Sequence, residues 1–233
     1  DLSGAGMSAE SGISTFRDAD GLWDKYPVEQ VATPEGYARN PELVINFYNE
    51  RRKQLLDVVP NAGHLGVADL ERDFNVTVVT QNVDNLHERA GSTHVIHLHG
   101  ELTKVCSSRD PYNPHFVKEL APEEYEVKLG DKAGDGTQLR PFIVWFGESV
   151  PEIETAIRYV EQADIFVIIG TSLNVYPAAG LLNYVPRAAE VYLIDPKPVD
   201  THVMRPIHVI QKGASEGVKE LKALLAATQP PLL

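Results

Sequence analysis

Residues 165–172 read Ile-Phe-Val-Ile-Ile-Gly-Thr-Ser, five apolar residues without alternation followed at once by a glycine and two hydroxyls. A strand that shows neither face to water belongs inside a sheet covered on both sides, the arrangement of parallel α/β sheets. Working outward, Val- and Ile-rich runs recur at 76–80, 95–98, 142–146, 191–194 and 207–210. Helix-length segments separate most of them. Helices are predicted over 41–56, where Asn40 caps and Pro41 takes the first turn, and over 151–162 and 215–226. The pattern predicts an α/β fold, a doubly wound, Rossmann-like parallel sheet. Two stretches rich in Gly and Pro, 18–34 and 107–137, break the rhythm, and loops of that length usually build a subdomain. A smaller inserted lobe is therefore expected, with a cleft between it and the sheet.

The 233 residues are 43% hydrophobic, enough for a substantial core. Against 21 basic residues stand 33 acidic ones, a formal charge of -12 that disfavours nucleic acid and anionic membranes as partners. One cysteine excludes an internal disulfide framework and suits a reducing compartment, so a cytoplasmic location is expected. No stretch approaches the roughly 20 apolar residues that span a bilayer. Oligomeric state is left open.

Gly4-Ala5-Gly6-Met7-Ser8-Ala9 fits a Gly-x-Gly-x-x-Ala dinucleotide turn, in which missing side chains let the backbone approach a pyrophosphate. Alone it equals an ordinary glycine turn, and only Asp1 and Leu2 precede Ser3, so the strand that should feed it is expected to be absent or trimmed. Its company weighs more. Gln81-Asn82-Val83-Asp84, His99-Gly100 and Gly170-Thr171-Ser172 each follow a predicted strand, and in open α/β sheets ligands bind beyond the carboxyl ends of strands. These clusters are expected to converge on one crevice.

In this order, Gly4 to Ser8, Gly12-Ile13-Ser14-Thr15-Phe16-Arg17, Thr80 to Asp84, Leu98-His99-Gly100, Leu139-Arg140-Pro141, Val144-Trp145-Phe146-Gly147-Glu148 and Gly170 to Pro177 resemble the sirtuin family from Gly4 to about Gly213. The resemblance implies a single catalytic domain over 1–233. Its larger lobe would comprise about 1–17, 61–105 and 140–233, and its smaller lobe about 18–60 and 106–139. It implies NAD as cofactor and acylated lysine peptides or proteins as substrates. The acyl carbonyl oxygen would attack C1′ of the nicotinamide ribose, nicotinamide would leave, and His99 would take a proton from the ribose hydroxyls.

Carried over by motif, Gly4, Ala5, Gly6 and Ser8 would hold the diphosphate, while Gly170, Thr171, Ser172 and Asp195 would line the ribose and phosphate side. Gln81, Asn82 and Asp84 would receive the nicotinamide end, with Asn82 and His99 as the catalytic pair. Phe16 would shield the reactive ribose, and Arg17 would open the cofactor loop, with Gly21 as a hinge. Val144, Phe146, Gly147 and Glu148, opposite Asn174 and Val175, would flank the substrate peptide as an added strand. Trp145 reads at least as well as core.

Tyr48 and Arg51 are three apart and share a helix face. A phenol and a guanidinium so placed can grip a carboxylate, and the spacing resembles the Tyr-x-x-Arg signature of class III sirtuins, with Ala32 as the small residue that widens the acyl pocket. Desuccinylase or demalonylase activity with some deacetylase activity is the resulting expectation. The alternatives are an NAD glycohydrolase or ADP-ribosyltransferase on the same fold, and a non-catalytic NAD-binding module.

The family's structural zinc needs four cysteines, and this chain has Cys106 alone. Arg109, Lys132 and Asp135 stand at the other three positions, so no zinc is expected. A mixed site of Cys106, Asp110 and His115 is the weaker alternative. Ion pairs of Arg109 and Lys132 with Asp110 and Asp135 are expected to cross-link the lobe, with packing by Tyr112, Phe116 and Tyr125.

Overall fold

The computed structural model describes residues 1–15 and 25–228. A six-stranded, wholly parallel sheet has the order β3-β2-β1-β7-β8-β9, built from β1 (Leu2–Ser3), β2 (Val78–Thr80), β3 (Val95–His97), β7 (Ile165–Ile169), β8 (Glu190–Ile194) and β9 (His208–Ile210). The strand expected to be absent or trimmed is present as the two residues Leu2–Ser3, in a central position. Leu2 and Ser3 suffice because they pair on both sides, with Val79 and Thr80 of β2 and with Ile168 and Ile169 of β7.

Successive residues of β7 enter different cores, as an unalternating apolar strand requires. Phe166 and Ile168 pack with Ala156 and Val160 of one helix (Ile153–Val160) and with the 3-10 segment Ala178–Tyr184. Val167 and Ile169 pack on the opposite face with Met7, with Val67 of the helix Ala62–Asp69, and with Val218, Leu221 and Leu225 of the helix Ala214–Thr228. β8 alternates likewise, Val191 and Leu193 against Tyr192 and Ile194. Each such side chain contributes about 1.5–3 kcal/mol on burial, so both helix layers are held by the same two strands.

The run at 142–146 departs from expectation. It does not join the parallel sheet: β6 (Leu139–Ile143) pairs antiparallel with β4 (Gly100–Ser107), which also pairs with β5 (Lys118–Glu119). Gly100, at φ +88°, makes the transition from the parallel sheet into β4, and a Cβ there would overlap the Phe142 carbonyl.

The helix Pro41–Leu55 starts as predicted, with Asn40 Oδ1 accepting from the Leu43 amide at 3.2 Å and Pro41 in the first turn. Its Val44, Phe47, Tyr48 and Leu55 pack with Leu102, Ile143 and Trp145, while Ile45 reaches Val105, Leu120 and Val127. This helix joins the small sheet to the cleft. Among the described residues no helix is long and apolar enough to cross a membrane.

Candidate active site

A cleft of about 1090 Å³ runs from the carboxyl ends of β1, β2, β7 and β8 to the helix Pro41–Leu55 and the loop after β6. At its sheet end the Gly4–Gly6 turn lies against the end of β7. The Gly6 amide donates to the Gly170 carbonyl at 2.8 Å, and a Cβ on Gly6 would lie 2.7 Å from Gly170 Cα. Only glycine fits that approach, with Gly170 itself at φ +65°. Gln81 Nε2 donates to Thr171 Oγ1 at 3.1 Å, tying the ends of β2 and β7 together. Gly4, Ala5, Gly6, Ser8, Gln81, Gly170, Thr171, Ser172 and Asp195 all line the cleft.

Asn82 and Asp84 follow β2 on one turn. Asn82 Nδ2 donates to the Gly4 carbonyl at 2.9 Å, which leaves its amide oxygen without a partner among the described residues. Asp84 is buried, with Oδ2 accepting from Ser8 Oγ at 2.8 Å and Oδ1 from the Leu86 amide at 3.0 Å. Burial raises its pKa, against the pull of both hydrogen bonds. Behind it stands a histidine that sequence reasoning did not place. His64 Nδ1 accepts from the Asn61 amide at 3.1 Å, so in the neutral ring Nε2 carries the proton and faces Ser8 Oγ at 3.3 Å. Ser8 thereby donates its own hydroxyl hydrogen bond to Asp84. Burial holds His64 down at about 4, which keeps this order. The signal was present as an N-cap spacing, Asn61 with His64 three residues on, completed here as a capping box.

His99 lines the cleft beyond β3. Burial lowers its pKa, partly offset by a hydrogen bond to the Gln81 backbone carbonyl. A neutral imidazole with one nitrogen engaged presents the other as a base, the form a proton acceptor needs at neutral pH.

At the far end Ala32, Tyr48 and Arg51 line the cleft with Leu102 and Ile143, neither of which their sequence neighbourhood singles out. Two adjacent arginines differ sharply. Arg52 is saturated, donating to the Tyr125 carbonyl at 2.7 Å and to Asn49 Oδ1 at 2.6 Å. Arg51 lies over the Phe47 ring at 5.0 Å, and its buried Nε and Nη1 have no partner among the described residues. Burial lowers its pKa, with Tyr26 and Glu50 acting against that shift. Tyr48 is not free in the same way. Its hydroxyl donates to the Val31 carbonyl at 2.9 Å and accepts from Trp145 Nε1 at 3.0 Å, so its proton is already engaged inside the protein.

The loop after β6 lines the cleft through Val144, Phe146, Gly147 and Glu148. Its amides at Val144, Trp145 and Phe146 already donate to the His99 carbonyl, Glu148 Oε1 and the Ala32 carbonyl. Trp145 is core, 2% exposed. The Glu148 carboxylate is spent inside the protein, on Arg140 at 3.0 and 3.1 Å, Tyr112 at 2.9 Å and the Trp145 amide at 2.8 Å. It shapes the loop. Val175 lines the cleft, whereas Asn174 is exposed and is not among the lining residues. Phe16, Arg17 and Gly21 lie outside the described residues.

Around Cys106 hydrogen bonds outweigh the expected ion pairs, of which the Arg109 charge acting on Asp135 is the smallest contribution to its lowered pKa. Ser107 Oγ donates to Asp135 Oδ2 at 2.5 Å and accepts from the amides of Arg109 and Asp110, and Thr137 Oγ1 donates to Asp135 Oδ1 at 2.7 Å. Asp110 engages Asn113 rather than a cation. Hydroxyls replace the long cationic side chains because they are fixed at the strand ends, within reach without the entropy cost of ordering Arg or Lys. Of the packing residues, Tyr112 meets Phe142 at 6.1 Å.

The Sir2 family profile matches residues 4–177. A protein of Bacteroides thetaiotaomicron named NAD-dependent protein deacylase is 84% identical over 224 residues, 96% of each chain. One of the same name from Helicobacter pylori is 50% identical over 220 residues, 94% of this chain and 93% of its own. Among solved structures, a Sir2 homologue in complex with NAD aligns at a TM-score of 0.83 and 38% identity, over 98% of this chain and 89% of that one. A Sir2 protein with a deacetylated p53 peptide and 3′-O-acetyl ADP-ribose aligns at 0.79 and 28%, over 96% and 91%. With the family profile matching most of the chain and a relative 84% identical along nearly its whole length, this chain belongs to the Sir2 family.

Proposed function

We propose that this protein removes acyl groups from protein lysines at the expense of NAD, and that it favours acyl chains ending in a carboxylate. The deacylase reading rests on the family and on the relatives' names. The donor set suits a dinucleotide: bare backbone at Gly4 to Gly6, the hydroxyls of Thr171 and Ser172, and the Asp195 carboxylate face one cleft. Bound NAD supplies an electrophilic ribose carbon with nicotinamide as leaving group. The chain's own residues do the rest. Asn82 offers its amide oxygen and Asp84 its carboxyl to the nicotinamide carboxamide, Ser8 and His64 fix Asp84, and His99 takes the ribose hydroxyl proton. A peptide laid along 144–148 pairs through carbonyls, since three consecutive amides are committed.

The acyl preference is carried by one observation, the Arg51 guanidinium lining the cleft beside Leu55, Leu102 and Ile143, whose buried Nε and Nη1 have no hydrogen-bond partner among the described residues. A succinyl or malonyl carboxylate would satisfy it, whereas an acetyl group leaves it bare. A charge-assisted contact contributes about 1.5–3 kcal/mol, roughly 10- to 150-fold. Nicotinamide release with matched succinyl and acetyl peptides tests this. Arg51→Met should lower kcat/KM for the succinyl peptide by that factor and leave the acetyl peptide within about threefold, with Tyr48→Phe having a smaller effect. Equal losses on both peptides refute the preference, and release that ignores peptide altogether points to NAD hydrolysis.

The small sheet is read as zinc-independent. A single thiol cannot make the family's site, and the Cys106 thiol is buried, pushed up to about 12 by that burial.

A further inference from the structure

His97, the last residue of β3, lies outside the chemistry assigned above, yet it touches the turn that carries it. Its side chain is only 6% exposed. Nδ1 stands 2.9 Å from the Asn82 carbonyl oxygen, and Nε2 stands 2.9 Å from Glu88 Oε2 and 3.9 Å from Glu101 Oε1. A carbonyl oxygen and a carboxylate both accept. Each ring nitrogen must therefore donate, and only the doubly protonated ring does so. We propose that His97 is held as an imidazolium at neutral pH and serves as a positioning residue, clamping the Asn82 carbonyl so that the turn keeps Asn82 and Asp84 in register for the nicotinamide end of NAD. This rests on the assignment of those two residues made above.

The charges around the ring support the clamp. From the helix Leu86–Ala90 come Glu88 and the neutral His87; from β4 come Glu101 and Lys104, whose ammonium engages the other Glu101 oxygen at 2.7 Å; from the turn comes Asp84. Burial alone would pull the ring's pKa down, but the Glu88 hydrogen bond and charge, with Glu101 and the Asn82 carbonyl, leave it above the ordinary value. Attraction also runs the other way, since His97 pulls against the burial that raises Asp84. When the ring loses one proton, a lone pair must face either the carbonyl or the carboxylate. One of the two contacts breaks, and the turn loses its brace. NAD usage should thus weaken on the alkaline side, by loss of the clamp rather than of the base.

The test combines histidine ring 15N spectra of the whole protein with pH profiles of kcat/KM for NAD. Both ring nitrogens of His97 should be protonated at pH 7, and the ring should titrate on the alkaline side together with the basic limb of the profile. Glu88→Gln should move both to lower pH by about one unit or more, as expected for removal of an adjacent opposite charge. His97→Gln should abolish that limb and raise KM for NAD about tenfold, with kcat within about threefold. A merely structural role would lower stability without moving the limb. A ring that is neutral or holds a metal at pH 7, or a limb unchanged in Glu88→Gln, overturns the proposal. Asp84→Asn separates the two readings. If it abolishes nicotinamide release while the limb stays fixed in the Glu88 variant, the subsite stands and the clamp falls. If Asp84→Asn has no effect, the subsite assignment fails.

Discussion

The base role proposed for His99 depends on the ring being neutral. Burial favours the uncharged ring, and the Gln81 carbonyl restrains but does not reverse that shift. The base form is present above the folded-state pKa and lost as pH falls through it, so the acid limb of kcat should lie below about 6.5, the ordinary histidine value. His99→Ala should cost about 10²–10⁴-fold in kcat. An acid limb at or above 6.5 in steady-state profiles would show that the ring is not so buried in the working enzyme. His99, Asn82 and Arg51 were expected at one cleft from strand ends, helix spacing and the family resemblance together, and all three line it. The partners of Tyr48 and Glu148 were not legible, because the groups that occupy them, Trp145 and Val31 for one, Arg140 and Tyr112 for the other, are brought in by tertiary packing that local spacing does not encode.

Elements were read best where both faces are buried. β7 and β8 match their apolar runs because no alternative placement hides both faces. The run at 142–146 deceived because it is apolar throughout although its burial alternates: Ile143 and Trp145 are buried against the helix Pro41–Leu55 while Phe146 is exposed, and the partner strand is β4. The ends of β4 and β6 also carry the zinc question. There Ser107, Asp135 and Thr137 hold the chain stretches together, with Asp135 drawn down to about 2 by its hydroxyl partners. Ile45, Val105, Leu120 and Val127 supply the apolar packing beneath. Prolonged treatment with a chelator should therefore leave the melting temperature and activity unchanged, and elemental analysis should find well under one zinc per chain. One tightly bound equivalent, lost with a fall in melting temperature, would refute this.

At the scale of the molecule the cleft is lined from both sheets: Gly4, Ala5, Gly6, Ser8, Asn82 and Gly170 emerge from the parallel one, and Ile143 to Glu148 extend from the antiparallel one. The helix Pro41–Leu55 contributes to the cleft while packing on Leu102 and Ile143. The small sheet therefore has no reason to unfold separately from the surface that holds ligand. If NAD binds the folded chain alone, it stabilises by RT ln(1 + [L]/Kd), about 2.7 kcal/mol at one hundred times Kd. For a chain of this size that raises the melting temperature by roughly 5 to 10 °C. Scanning calorimetry with and without NAD should show one transition that moves as a unit. A first transition insensitive to NAD, followed by one that shifts, would mean that the antiparallel sheet and its helix melt away from the cleft, and that Arg51 and the turn from Asn82 to Asp84 are held by separate folding units.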